Sequence, residues 1–168
     1  MFQRYRTTAV LNLLFFVLLA GLFWYVRTNE TQAEETHFHA AFQVYRDNAL
    51  VDFTDEKYMY ISPCTDSEES ENEQMEKAHL HGNVGDVVHV EQKNGKWKDL
   101  FKNLSYDAGS AVVGYVNGER IFGILNKNIR ADDRAIFLIG SYDEIEKKLE
   151  AVPSVERIRE VEQTSEEC

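Results

Sequence analysis

The sequence predicts an α+β domain, a mixed sheet with one packed helix, carried behind a single N-terminal transmembrane helix. Three observations predict it. An apolar run occupies residues 8–26, short β-branched and aromatic segments are separated by Asn/Asp/Gly turns, and one later stretch repeats its apolar residues with helical period.

The N-terminal run is interrupted only by Asn12 and the threonines, long enough to cross a hydrocarbon core of roughly 30 Å. Arg4 and Arg6 precede it without an acid, whereas Glu30, Glu34 and Glu35 follow Arg27. The positive-inside bias therefore puts the N-terminus in the cytoplasm and the remainder outside. Trp24 and Tyr25 suit a lipid–water boundary. A cleaved signal peptide is the competing reading, with Thr31-Gln32-Ala33 as its processing site; the length of the run favours a retained anchor. The expected layout is a cytoplasmic stub and anchor over 1–27, a polar stalk over 28–36, an ectodomain over 37–150, and an acidic tail over 151–168. This is a single-pass cell-membrane protein with an extracytoplasmic domain.

All 29 acids of the chain lie after Arg27, and its formal net charge is −11. That balance excludes nucleic acid as a partner, because a phosphate-binding surface needs the opposite sign. It suits the concentration of cations, or a solvated surface.

Within the ectodomain, His37 to Phe53 reads as a strand, a turn at Arg46-Asp47-Asn48 and a second short strand. Residues 56–62 fit neither period. Residues 65–77 form an acidic loop without pattern, which predicts mobility. Gly82-Asn83-Val84-Gly85 turns the chain into a strand over Asp86 to Glu91, ended by Asn94-Gly95. Trp97, Leu100, Phe101 and Leu104 then share one helix face. Residues 111–115 and 120–125 flank Val116-Asn117-Gly118-Glu119, where Asn-Gly supplies the positive φ values of a type I′ hairpin. Residues 135–139 form a last strand, and Ser141 caps a predicted helix over 142–149 with Glu144 at the capping-box position. The Glu-rich tail is compatible with a helix.

The order hairpin, insertion, strand, helix, hairpin, strand is close to what a β-grasp domain needs. Trp97 to Leu104, Tyr115-Val116-Asn117-Gly118-Glu119 and Asp132-Asp133-Arg134-Ala135-Ile136 resemble the helix, hairpin and following edge of ubiquitin-like sulfur carriers. Those carriers use a terminal Gly-Gly, and this sequence reads Glu166-Glu167-Cys168, so the resemblance implies the fold and not the activity. Over its whole length, through HFHAAFQVY, KYMYISPC, EKAHLHGNVGDVVHV, WKDLFKNLSYD and SEEC, the chain also resembles a family of small membrane-anchored His-x-His proteins of uncultured bacteria. Some of its members are named protein-disulfide isomerases, which implies thiol–disulfide exchange.

All five histidines fall between residues 37 and 89, four of them as His37-Phe38-His39 and His79-Leu80-His81. In a strand, i and i+2 share a face, so each pair aims two imidazoles at one place. His37 and His39 have the parity opposite to Ala40, Phe42 and Val44, and His89 has that opposite to Val88 and Val90. His37, His39, His79, His81 and His89 are the candidate ligands of a transition metal, zinc or copper, since neutral imidazole suits both. The competing reading is a solvated or pH-responsive cluster. No catalytic residue is assigned.

Cys64 and Cys168 form no Cys-x-x-Cys motif. Export favours a disulfide between them, closing a loop of about 100 residues and stabilising by up to several kcal/mol. Two alternatives to metal binding follow. One is an exported thiol–disulfide oxidoreductase using Cys64 and Cys168, the other a noncatalytic interaction module whose acidic loop and tail meet an envelope protein.

Overall fold

The computed structural model describes residues 37–60 and 73–164, with Phe15, Leu18, Leu19 and Gly21 of the N-terminal segment. The chain divides into two units, Met1–Glu34 and Glu35–Cys168. In the first unit those four residues are helical, and Phe15, Leu18 and Leu19 are exposed. Among the described residues no helix is long and apolar enough to cross a membrane, and most of the expected anchor lies outside them.

The second unit is α+β with a mixed six-stranded sheet. Its strands are β1 (Phe38–Arg46), β2 (Ala49–Leu50), β3 (Val87–Val90), β4 (Val113–Val116), β5 (Glu119–Ile121) and β6 (Arg134–Ile139). The order is β2-β1-β6-β4-β5, with β3 also paired to β1. Central β1 and β6 run parallel, and the other pairs are antiparallel. β2 pairs with the C-terminal end of β1 and β3 with its N-terminal end. Both predicted hairpin turns form as the sequence requires. Asp47 and Asn48 have φ of 48° and 72°, Asn117 and Gly118 of 53° and 83°, the left-handed values of type I′ turns.

Among the described residues four α-helices complete the unit: α1 (Glu73–Glu76), α2 (Trp97–Asn103), α3 (Ile145–Ala151) and α4 (Val155–Thr164). The sequence anticipates one helix packed on the sheet, and the structure has helices on both faces. On one face, Trp97, Leu100 and Phe101 of α2 pack with Ala40, Phe42, Val44, Val88, Val90 and Phe137. On the other, Ile158 and Val161 of α4, with Val152, cover Ala41, Val87, Ile136 and Leu138. The physical reason is that β6 is apolar at both parities, as a strand buried on both sides must be, and Ala41 of β1 and Val87 of β3 extend its second apolar face. Arg134 fixes the second layer, donating from Nε to the Pro153 carbonyl at 2.8 Å and from Nη2 to that of Val152 at 2.7 Å.

Two further expectations are corrected. Helix α3 begins at Ile145 instead of Tyr142, because the backbone N–H groups of Ser141 and Asp143 donate to the side chains of Asp47 and Asn48 in the first hairpin turn. Glu144 then takes a left-handed φ of 44° at the cap. The end of the acidic stretch is ordered: α1 is one helical turn, held by Asn103 Nδ2 donating to the carbonyls of Gln74 and Ala78 at 2.8 and 2.7 Å. The rest of that loop, residues 65–72, lies outside the described residues, as do Cys64 and Cys168.

Candidate metal centre

The register of the sheet assembles the histidines. β1 and β3 pair with His39 opposite His89. From the far side His79 pairs with the same residue, its N–H donating to the His89 carbonyl at 3.0 Å and its carbonyl accepting from the His89 N–H at 2.9 Å. His39, His89 and His79 therefore form a row across three neighbouring segments. His37 and His81, each two residues along an extended backbone, join on the same face. After His81 the chain reverses through Gly82 and Asn83, with φ of 62° and 57°, while the Val84 N–H donates to the His81 carbonyl. The segment is fixed on its outer side by the Tyr60 N–H donating to the Leu80 carbonyl at 2.7 Å.

His89 is the hub. Its ring centre lies 4.4 Å from that of His37, 4.6 Å from His39, and 4.8 Å from both His79 and His81. Two imidazoles sharing one tetrahedral ion through nitrogens about 2.0–2.1 Å from it have ring centres about 5 Å apart. The hub spacings match that figure. Two triads bring one nitrogen of each member within 4.8 Å of the others: His37 with His39 and His89, and His79 with His81 and His89. The five histidines are thus compatible with binding a metal ion.

Burial is graded across the cluster. His39, His79 and His89 are buried, His81 is half-buried, and His37 is exposed at the rim. The three buried residues have the parity of Ala41 and Val87, on the face covered by α4, so the cluster sits where the second core ends.

The partners of the rings decide which nitrogens face inward. His79 Nδ1 lies 3.0 Å from the Met75 carbonyl, which can only accept, so Nδ1 carries the proton and Nε2 keeps its lone pair. Glu162 of α4 places Oε1 4.0 Å from His39 Nδ1. His89 Nε2 is buried and makes no hydrogen bond, with Glu91 Oε1 at 3.9 Å. Tyr60 closes the outer side, its ring edge-on to His79 with centres 5.0 Å apart.

Burial also sets the charge state. Desolvation, then repulsion from His37, His81 and His79, lowers the pKa of His39 from 6.5 to about 4. Desolvation lowers that of His79 to about 4 against the opposing pull of the Met75 carbonyl. His89, the most crowded, is pushed down to about 2, first by burial and then by the other four rings. His81 is lowered by the same two causes, burial and His37. At neutral pH these rings are neutral bases with lone pairs, the form a metal binds.

The structure brings all five sequence-predicted histidines together and gives them partners that the sequence reading did not name: Glu162, the Met75 carbonyl and Tyr60. A signal for Glu162 existed in the tail, where Val155, Ile158 and Val161 recur at intervals of three and mark a buried helix stripe that Glu162 adjoins. Comparison with family models, with curated proteins and with solved structures found no match to this chain.

Proposed function

We propose that this chain is a membrane-anchored, extracytoplasmic metal-binding protein that holds zinc or copper through His37, His39, His79, His81 and His89. The observation that carries the reading is His89 Nε2, buried without a hydrogen bond at the centre of four other imidazoles. An unsatisfied buried nitrogen costs about 1–3 kcal/mol, and a cation accepting its lone pair removes that cost. Four rings whose pKa values are lowered supply lone pairs at neutral pH, and the Met75 carbonyl and Glu162 are placed as outer partners that orient ligand rings. An all-imidazole donor set suits Zn(II) and Cu(II) better than the oxygen-seeking Mg(II) and Ca(II).

The strand order favours a finer reading of the architecture. A central parallel pair β1/β6 flanked by β2 on one side and by β4 and β5 on the other supports a β-grasp arrangement, with β3 and the His79-Leu80-His81 segment as an insertion on the β1 edge. The apolar, exposed Phe15, Leu18 and Leu19, spaced as one helical face within residues 8–26, support the anchor. The acidic surface then faces the outside, where it raises the local concentration of cations.

The test is elemental analysis of the full chain, purified in detergent without a histidine tag and dialysed at pH 7.5 and at pH 3.5. The reading expects zinc or copper retained at pH 7.5 and lost at pH 3.5, below the lowered pKa of about 4 of His39 and His79, where ligand rings must compete with protons. No retained metal after reconstitution with either ion refutes it.

A further inference from the structure

We infer that the cluster holds two transition-metal ions, one between His37, His39 and His89 and the other between His79, His81 and His89, with the His89 ring bridging them. This rests on the metal-binding reading and adds to it a stoichiometry, a bridging ligand and a division of the five histidines into two half-sites.

The symmetry about His89 carries the argument. Each flank contributes one His-x-His pair from an extended segment: His37 and His39 through β1, His79 and His81 through the segment on the far side of β3. Each pair lies close to the hub, with ring centres at 4.4 and 4.6 Å on one flank and 4.8 Å for both members of the other. The ring centres of His37 and His39 are 5.4 Å apart, those of His79 and His81 5.8 Å, and those of His39 and His81 across the hub 5.9 Å, so His89 is the closest neighbour of every ring. The two triads of convergent nitrogens share His89 and no other residue.

A single ion does not use this set fully. Zinc takes four ligands at about 2.0–2.1 Å, which leaves at least one of five clustered imidazoles without a role. Two ions use all five, three nitrogens on each, with a position open on each ion. The hub can serve both, because an imidazole has two nitrogens on diverging edges and Nε2 of His89 is buried without a hydrogen bond. Bridging requires His89 to give up its one ring proton to solvent, so that Nδ1 binds one ion and Nε2 the other. The resulting negative charge lies between two cations, with the carboxylate of Glu91 close to the hub and that of Glu162 close to His39 on the first half-site. The half-sites also differ in access, since His37 is exposed whereas His79 is buried beneath Tyr60.

The experiment is titration of the tag-free full chain with Cu(II) in detergent at pH 7.5, followed by electron paramagnetic resonance and by metal content after gel filtration. Two copper ions per chain with the spectrum of a magnetically coupled pair support the inference. His37→Ala, at the exposed rim, and His81→Ala, half-buried, should each reduce the retained copper to one ion with an uncoupled signal. Circular dichroism of each variant confirms that the fold persists. One copper per wild-type chain overturns the two-ion site and leaves the metal-binding reading standing. Two copper ions with independent spectra overturn the bridge. No bound copper or zinc refutes the underlying reading as well.

Discussion

Acidification of the metal-free protein should cost it stability in a definite window. His39 and His79 titrate at 6.5 when unfolded and at about 4 in the folded chain. Between those values the unfolded state binds the proton and the folded state does not, so stability is complete above pH 6.5 and falls as pH drops toward 4. At pH 5 each ring accounts for a loss of about 2 kcal/mol, about 4 kcal/mol for the pair if they act independently. That is a large part of the roughly 5–15 kcal/mol that holds an ordinary domain folded. Glu91 and Glu162 offset little of it, because at 41% and 44% side-chain exposure their charges are screened. The assay is urea denaturation of the chelator-treated full chain at half-unit steps from pH 7.5 to 4.5. Zinc at a free concentration of 100 times its Kd should raise the neutral-pH stability by about 2.7 kcal/mol and steepen the acid loss. A midpoint that stays level between pH 7.5 and 5 would refute the reasoning, since it would mean that the imidazoles are hydrated in the folded state.

Other outcomes test the supports of the site and the fold. Glu162→Gln should weaken zinc binding by roughly 10–100-fold with little change in unfolding midpoint, read by competition with a chromophoric chelator. Trp97, with no exposed surface, joins α2 to Phe42 and Phe137, so Trp97→Ala should cost about 3–5 kcal/mol in urea unfolding. Gly118 sits at φ 83° with open space where a Cβ would stand, so Gly118→Ala should cost about 1–2 kcal/mol from backbone strain alone; the same urea series measures it.

The local parts of this architecture were legible in the sequence, and the assembled parts were not. Asn117-Gly118 and Asp47-Asn48 specify tight turns because few other residues accept left-handed φ, so both hairpins could be placed from composition. The helical spacing of Trp97, Leu100, Phe101 and Leu104 identified α2, and alternation in β1 assigned His37 and His39 to one face. The start of α3 was misplaced because side chains of the distant turn at Asp47-Asn48 capture backbone donors that a local reading assigns to the helix. The second core was missed for a related reason: two buried residues, Ile158 and Val161, are a weak signal among the acids of α4. The grouping of the histidines was legible as a tendency. Their order around His89 was not, because it depends on the β1–β3 register, which is set between residues about 50 positions apart along the chain.

If the cluster takes up a metal, that separation ties the uptake to the folding of the chain. Before β1 meets β3, the chain offers only two isolated His-x-His chelates, and the residue common to both triads is near neither His37 nor His39. A cation captured early gains two nitrogens; one captured after the sheet closes gains the third and a water-poor surrounding. Affinity therefore rises at the moment when the long-range pairing is complete, so cargo should be retained by finished domains and shed by partly folded ones. A metal bound by this cluster would then load last, as a consequence of strand register alone.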